Sequence, residues 1–207
     1  MLTLTEKLFV LSIDDDGGKV APFINDALRF GFSGAVMAEL TSLGKIAIQG
    51  KELRMIDGTP TGDELLDEAL ALIGEENEAQ KILHWVKVLA SGKPKKKIAD
   101  HLATKNVFTI EEKRYAWVTP FGEHAQPGES AKYGVKQHLR SVVLAGEEPK
   151  PDDIVLLSLL KACRMLDLVF TRDEQKAARK KVEEWVKAEV FGKAVAKIIT
   201  GMETEKA

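Results

Sequence analysis

The sequence predicts a mainly α fold, a single compact helical domain with two β-hairpins, on three observations. Apolar residues recur at helix spacing through most of the chain. Two segments, 45–56 and 107–119, instead alternate, and each follows a helix-stop signal, which is typical of hairpins. The 207 residues contain no clean linker, and 44% of them are apolar, enough to bury one large core.

Three helices are predicted in the first part of the chain. Thr3 and Glu6 have the spacing of a capping box, so a helix is expected over 4–12, followed by a turn at 14–18. A short helix is then expected at 23–30, ended by Gly31, and another at 33–43, ended by Gly44. Both ends are predicted because glycine readily adopts the left-handed conformation that closes a helix.

A helix stop followed by a hairpin occurs twice, at an offset of 62 residues (102 − 40, from matching the leucines at these positions). The first hairpin is expected over 45–49 and 52–56, around a turn at 50–51. At this offset Gly44 corresponds to Asn106, and glycine and asparagine are the residues that best close a helix. Both a true internal duplication and two independent uses of one local solution explain the pattern.

Helices account for the remaining predicted elements. They are expected at 63–72 and 78–90, between the hairpins, and near 129–144, 152–170, 173–190 and 192–200, after an irregular loop at 122–128. The domain is therefore expected to extend over 1–201, with 202–207 as a frayed tail.

Composition and charge exclude several classes of protein. The formal net charge is −2, so any binding to nucleic acid or anionic lipid requires a local patch. No apolar run approaches the roughly 20 residues that span a bilayer, and the first residues lack the pattern of a secretory signal. The single cysteine, Cys163, excludes an intrachain disulfide, and its leucine-rich surroundings predict a buried, inert thiol in a reducing cytosol.

The most specific motif is Thr-Pro-Thr-Gly-Asp-Glu-Leu-Leu-Asp-Glu-Ala-Leu at 59–70. It ends an extended segment and begins a helix, because Pro60 keeps Thr59 extended and the acidic residues suit a helix N-terminus. Its leucines form a helix-spaced apolar stripe and carry no chemistry. From Pro60 onward, the string also resembles the central signature of the Golgi phosphoprotein 3-like family.

That resemblance extends over most of the chain. The segment 2–13 is similar to the family's opening helix, and 34–40, 97–102 and the apolar 156–170 fall where the family has similar residues. The resemblance implies a non-enzymatic, peripheral membrane adaptor that binds phosphatidylinositol 4-phosphate. In eukaryotic relatives, it implies retention of glycosyltransferases in the Golgi through their cytoplasmic tails.

The sequence gives little support for catalysis. It has no Gly-x-Ser-x-Gly elbow, no phosphate-binding glycine-rich loop and no Cys-x-x-Cys pair, and its four histidines lack metal-binding spacing. The acidic residues 14–16 are better explained as a solvated turn than as a cation site. Asp26 and Glu39 would form a carboxylate pair only if the fold brought them together. No enzyme activity, catalytic residue, cofactor or metal site is therefore predicted.

The clearest local charge feature is a basic run of four lysines, Lys93, Lys95, Lys96 and Lys97. A solvated loop explains this run without any function. As a site, it would bind anionic phospholipid headgroups, because it precedes a helix start and each clustered lysine is worth about 1 kcal/mol near an acidic membrane.

The resemblance also bears on which headgroup is bound. Relatives hold phosphatidylinositol 4-phosphate with a tryptophan and basic residues, and ungapped alignment places Ile24, Ser33 and Gly92 at three of these positions. Only Lys95 keeps the charge. The expectation is a prokaryotic-type member whose phosphoinositide pocket departs from the family's pattern. Such a protein would bind anionic lipid with altered or weak phosphoinositide selectivity.

The second hairpin and its flank carry three aromatic residues, Tyr115, Trp117 and Phe121. One interpretation is an amphipathic hairpin that packs on its own core. The family's counterpart is implicated in oligomer contacts, so the resemblance implies a homo-oligomer, or a membrane contact, through this hairpin.

The leading hypothesis is a cytoplasmic, peripherally membrane-associated adaptor whose partners are anionic lipid and a membrane-protein client. The alternative is a winged-helix-like nucleic-acid-binding protein, because a helix followed by a hairpin is also the unit of that fold. Its recognition helix at 33–43 would contain Glu39 but no lysine or arginine, whereas the helix at 95–105 carries four lysines. Nucleic acid is the less favoured partner.

Overall fold

Helices make up most of the structure, a computed structural model that describes residues 2–14, 19–21, 24–76, 78–92, 94–111, 114–117 and 130–206. Side chains are described for these residues except 109–111, 114–117, 203 and 205–206. The α-helices are α1 Leu4–Ser12, α2 Asn25–Ser42, α3 Glu64–Gly74, α4 Ile82–Ala90, α5 Pro94–Thr104, α6 Ala131–Arg140, α7 Pro151–Ala162, α8 Gln175–Trp185 and α9 Phe191–Lys206. The mainly α prediction is confirmed.

Helix α1 begins with the predicted capping box. The Glu6 amide donates to Thr3 Oγ1 at 3.2 Å, and the Thr3 amide donates to Glu6 Oε2 at 2.9 Å. These two bonds satisfy backbone donors that a helix start otherwise leaves unpaired. The helix is buried along most of its length, and Phe9 has no exposed surface. It therefore forms part of the core rather than lying over it.

Helix α2 is continuous, so the predicted helix end at Gly31 is wrong. A Cβ on Gly31 would lie 2.7 Å from Cys163 Sγ, and one on Gly34 would lie 2.6 Å from Leu159 Cδ2. These glycines therefore allow α2 to approach α7 closely, and neither ends a helix. From sequence alone, a glycine that permits close packing resembles a glycine that closes a helix.

The core is arranged around α2, which contacts α1, α3, α4, α5, α7 and α9. Helices α7 and α9 meet at a third close contact, where a Cβ on Gly192 would lie 2.1 Å from Ser158 Oγ and 2.8 Å from the Ser158 carbonyl carbon. Because Gly192 lies directly against the Ser158 backbone, α7 and α9 are tightly packed at this point and have little room to slide.

The strands of the described residues form two small antiparallel sheets. The first contains β1 Ile46–Gln49, β2 Glu52–Met55 and β3 Gln80–Lys81, in that order, and the second contains β4 Phe108–Glu111 and β5 Arg114–Trp117. Both predicted hairpins are present. The short strand β3 was not predicted, and it delays the helix expected at 78–90 until Ile82.

The two hairpins have the same register at the predicted offset of 62. Ile46 pairs with Met55, and Phe108, 62 residues after Ile46, pairs with Trp117. The remaining three pairs of each hairpin correspond in the same way. The similarity therefore extends from the sequence pattern to the pairing of individual residues.

The helix ends before the two hairpins are also alike. The Lys45 amide donates to the Leu40 carbonyl at 2.9 Å, and the Val107 amide donates to the Leu102 carbonyl at 3.1 Å. The residue before each donor has a positive φ, +70° at Gly44 and +53° at Asn106. These are the left-handed stops that the sequence predicts.

The second half of the chain is more divided than predicted. After α6, a π-helix at Ser141–Ala145 ends at Gly146, which has φ +86°. The helix expected at 152–170 ends at Ala162, and a 3-10 turn follows at Leu166–Leu168. At the C-terminus, α9 continues to Lys206, through residues for which the sequence predicts a frayed tail.

Cys163 is buried, as predicted, at the end of α7. Its thiol lies against Gly31 of α2, and burial raises its pKa to about 12. The thiolate, which is the reactive form, is therefore scarce at neutral pH. Among the described residues, no helix combines the length and the apolar character needed to cross a bilayer.

Gly192→Ala should lower the free energy of unfolding by about 1–3 kcal/mol, because the added methyl group overlaps the Ser158 backbone. Gly201→Ala, on the same helix, is the matched control. Nothing lies within 4 Å of a Cβ at Gly201, so alanine should stabilise the helix there by about 0.5–1 kcal/mol. Chemical denaturation of both variants measures the difference, and equal stability of the two would contradict the close packing described above.

Candidate functional site

The motif at 59–70 begins α3 and is held by its own polar residues. Asp63 is the N-cap, and its Oδ1 accepts hydrogen bonds from the Leu65 and Leu66 amides at 2.9 and 3.1 Å. Asp67 Oδ1 accepts from the Thr61 amide at 2.6 Å, and this bond, with others from Thr61, lowers the Asp67 pKa. The motif therefore specifies a helix start of defined geometry.

The residues before the motif are fixed to the first hairpin. Lys45 Nζ donates to Asp57 Oδ2 at 2.6 Å and to Thr59 Oγ1 at 2.5 Å. The bond from Lys45 is the largest influence on Asp57, whose pKa is lowered to about 2. The position of α3 therefore depends on the hairpin that precedes it.

A cavity of about 430 Å³ lies beside this helix start, between α1, α2, α3 and α5. We call it the acidic cleft because five carboxylates line it, namely Glu6, Glu39, Asp63, Glu64 and Asp100. The basic side chains in its lining are Lys97 and His101.

Glu39 is the unusual member of the acidic cleft, because it comes from the largely apolar helix α2. Its Oε1 accepts from the Thr5 amide at 2.7 Å and from Thr5 Oγ1 at 3.0 Å. Burial raises the Glu39 pKa despite these bonds. Asp26, the partner considered from sequence, lies 13 residues earlier (39 − 26), about 20 Å along the helix axis, so the two do not form a pair.

Glu6 lies in the deeper wall of the acidic cleft, whereas His101 lies at its exposed side. Glu6 is buried, and its Oε1 accepts from Lys105 Nζ at 2.7 Å. His101 Nδ1 lies 3.7 Å from Glu6 Oε1 and 3.8 Å from Asp63 Oδ2. A carboxylate within an apolar stretch, as Glu39 within 34–40, is the sequence signal that points to this cleft.

The predicted basic run occupies the first turn of α5, rather than a loop before a helix. Lys93 lies outside the described residues. Lys95 is partly buried and donates to Asn25 Oδ1 at 3.1 Å, and desolvation lowers its pKa. Lys96 is exposed. The run is thus divided, because Lys97 points elsewhere.

Lys97 pairs with acidic residues of α3. Its Nζ contacts Glu68 Oε1 in a short ion pair and lies 3.6 Å from Glu64 Oε1. The pairing with Glu68 is the main cause of its raised pKa. Lys97 therefore holds α5 to α3, and its charge is locally compensated.

The positions expected to replace a phosphoinositide clamp belong to the core. Ile24 has no exposed surface, and Ser33 is 2% exposed. Ser33 Oγ donates to the Arg29 carbonyl of its own helix at 3.1 Å. Neither side chain is available at the surface. Gly92, by contrast, is exposed just before α5.

The structure places part of the aromatic hairpin. Tyr115 and Trp117 belong to β5, whereas Phe121 lies outside the described residues. The preceding strand is anchored by Phe108, which is buried and lies 6.1 Å from Phe9 between ring centroids. The base of this hairpin is therefore attached to the core through β4.

No group of three or more potential metal ligands occurs among the described residues. His138 Nε2 lies 2.8 Å from Asp153 Oδ1, and the ring of His84 packs edge-on against Trp85 at 5.1 Å. These contacts have structural explanations. His124 lies outside the described part of the chain.

The first helix considered for nucleic-acid recognition is unsuitable. Residues 33–38 and 40 are buried within α2, in the centre of the fold. A recognition helix must be exposed to enter a groove. In the second unit, α5 presents Lys96 to solvent, but Lys97 is engaged by Glu68.

Comparison with known proteins agrees with the motif. A family profile described as Golgi phosphoprotein 3 (GPP34) matches residues 4–202. Vacuolar protein sorting-associated protein 74 of Eremothecium gossypii is 25% identical over 166 residues, which cover 69% of this chain and 49% of that protein. The protein of the same name from Schizosaccharomyces pombe is 23% identical over 165 residues, with coverages of 69% and 48%.

The chain thus spans about half the length of these two relatives. The family match covers nearly the whole chain, including α1, the signature at α3, both hairpins and most of α9. The chain belongs to the Golgi phosphoprotein 3 (GPP34) family.

Proposed function

We propose that this protein is a non-enzymatic, cytoplasmic adaptor that associates peripherally with membranes by binding anionic lipid headgroups at the start of α5. A membrane-protein client would occupy the acidic cleft, and the second hairpin would mediate self-association. The observation that carries the proposal is the unbalanced positive charge in the first turn of α5.

The charge at this helix start is opposite to the usual preference. The first turn of α5 has no acidic residue, although a helix N-terminus favours negative charge. Lysines there add to the positive end of the helix dipole, so a bound anion would relieve the repulsion. Lys95 and Lys96 supply this charge, and Lys93 is proposed to extend it.

Headgroup selectivity is proposed to be weak. A phosphoinositide clamp needs donors that surround the phosphate, whereas Ile24 and Ser33 are buried in the core. Without them, attraction depends on charge rather than on the arrangement of phosphates. An altered pocket, as expected for a prokaryotic-type relative, therefore stays part of this proposal.

Lys95→Gln combined with Lys96→Gln should weaken binding to anionic vesicles about thirtyfold at low salt, since each lysine contributes about 1 kcal/mol. Flotation with phosphatidylcholine vesicles that contain phosphatidylserine or phosphatidylinositol 4-phosphate measures the loss. Both vesicle types should respond alike. Raising the salt concentration should weaken wild-type binding, because ions screen exposed charges over about 10 Å at 0.1 M.

The matched control is Lys97→Gln combined with Glu68→Gln. It removes a neighbouring lysine together with its partner and leaves the net charge unchanged, so vesicle binding should stay within about twofold of wild type. Equal loss in both double variants would contradict the assignment to Lys95 and Lys96. If the wild type ignored all vesicles but shifted duplex DNA, the winged-helix alternative would replace this proposal.

The acidic cleft is suited to a basic segment of a client. Glu64 and Asp100 are exposed at its rim, and Glu39 and Glu6 lie deeper. Lysine or arginine side chains of a partner would find carboxylates at several depths. Helix α5 thus contributes to both proposed surfaces, with lysines in its first turn and Asp100 in the cleft.

Glu64→Gln combined with Asp100→Asn should weaken binding of a tri-arginine peptide about fivefold, because exposed charge pairs contribute a few tenths of a kcal/mol to 1 kcal/mol each. Fluorescence anisotropy with a labelled peptide measures the affinity. Glu75→Gln combined with Glu76→Gln removes the same charge at the far end of α3 and should have less effect. Equal losses would show general attraction and contradict a cleft site.

Self-association through the hairpin is supported by an unpaired strand edge. Within the described residues, β5 pairs only with β4, which leaves its other edge open. Open strand edges readily pair with another chain. Tyr115 and Trp117 of β5 are proposed to supply the apolar contact, together with Phe121, which follows them in the sequence.

Trp117→Ala should shift the protein toward smaller species while its helical content and melting temperature stay close to those of wild type. Light scattering and circular dichroism measure these two properties. The opposite result, an unchanged size with a loss of about 3–5 kcal/mol in stability, would place Trp117 in the core of the monomer and reject the proposed contact.

A further inference from the structure

A second charged cavity, of about 420 Å³, lies between α7, α8 and α9. Four cationic residues line it, Lys161, Arg164, Lys187 and Lys193, with one carboxylate, Glu183. We call this cavity the basic cleft. Its lining carries a formal charge of +3 (four cations minus one carboxylate), in a protein whose net charge is −2.

The frame of the basic cleft is rigid. Gly192 lies directly against Ser158, which fixes α9 on α7. Glu189 accepts hydrogen bonds from the Phe191 and Gly192 amides at 2.8 and 2.7 Å, which fixes the start of α9. The cationic residues are therefore brought together by packed elements.

The two lysines near the start of α9 are linked to each other. Lys193 Nζ donates to the Lys187 carbonyl, so the Lys193 side chain crosses toward the segment that ends α8. Both residues remain exposed. This contact keeps the Lys193 ammonium group on the basic-cleft side of α9.

Arg164 joins the cleft from an unusual backbone conformation. Its φ is +59°, at the position after a helix end where glycine is most common. The Met165 amide closes the helix by donating to the Leu160 carbonyl at 2.7 Å. A residue with a long side chain is disfavoured there, so the surrounding structure holds this backbone conformation, which places Arg164 in the lining of the cleft.

Helix electrostatics explain only part of this cluster. Lys161 and Arg164 lie at the C-terminus of α7, where cations are favoured, and Lys161 is also 3.3 Å from Glu183. Lys193, however, is in the first turn of α9, where a cation is disfavoured, and the nearby carboxylate of Glu189 is bonded to the Phe191 and Gly192 amides. An anionic ligand would complement this cluster, and Lys193 in particular, because a helix N-terminus favours negative charge.

We propose that the basic cleft binds a compact phosphate-bearing ligand. Its rim supplies ammonium and guanidinium donors, and its floor is apolar, with Val186 and Ile199 nearly buried. Charge-assisted bonds to phosphate strengthen where water is partly excluded. The volume suits a small ligand or a headgroup. This site is separate from the first turn of α5 and does not depend on the function proposed there.

The test uses inorganic pyrophosphate as a free ligand and phosphatidate in phosphatidylcholine vesicles as a headgroup. Lys187→Gln combined with Lys193→Gln should weaken the binding at least about tenfold, the equivalent of one lost charge-assisted hydrogen bond. Lys176→Gln combined with Lys180→Gln is the control, because it removes the same charge from the exposed face of α8. Isothermal titration calorimetry and vesicle flotation measure the two ligands, and melting curves verify folding.

The two arms distinguish the source of the phosphate. Selective loss of pyrophosphate binding in the cleft variant supports a soluble phosphate compound. Selective loss on phosphatidate vesicles, without pyrophosphate binding by the wild type, supports a lipid headgroup. Because the first turn of α5 is itself proposed to attract anions, only a loss specific to the Lys187 and Lys193 variant assigns pyrophosphate binding to the basic cleft. The proposal would be overturned if the cleft and control variants lost equal affinity, or if the cleft variant bound as tightly as the wild type. It would also be overturned if the wild type bound neither pyrophosphate nor phosphatidate vesicles.

Discussion

The close approach of α2 to its neighbours is the constraint on which the rest of the structure depends. Because Gly31 and Gly34 have no side chains, α2 lies directly against Cys163 and Leu159 of the α7 region. The same helix carries the partners of two charged surfaces. Asn25 accepts a hydrogen bond from Lys95 at one end, and Glu39 extends into the acidic cleft near the other. A rigid central helix thus fixes the spacing between two surfaces of opposite charge.

Local signals in the sequence predict much of the fold. The capping box of Thr3 and Glu6 predicts the start of α1, and the left-handed stops at Gly44 and Asn106 predict both hairpins. These succeed because the interacting groups are a few residues apart. Gly31 misleads because its role depends on Cys163, which is distant in sequence. Strand β3 has only two residues, too few for any alternation to be visible.

The charged surfaces show the same difference between contacts that are local in sequence and contacts that are distant. The basic run is visible in the sequence because its lysines are contiguous, but the compensation of Lys97 by Glu68 is not, since 29 residues separate them. The carboxylates of the acidic cleft lie on separate helices and at the N-cap of α3, so no short motif in the sequence predicts it. In the basic cleft, the position of Arg164 depends on its left-handed backbone conformation, which the sequence does not predict. Sequence patterns therefore locate the charges, and the fold determines which of them remain unbalanced.

The burial of Cys163 gives this protein an internal reporter of helix separation. The chain has one cysteine, and its sulfur faces Gly31 across the contact between α2 and the end of α7. An alkylating reagent can reach this sulfur only when the two helices part, and the high pKa slows the reaction further while they remain together. The rate of alkylation under native conditions therefore measures how often the centre of the fold opens, without any engineered label.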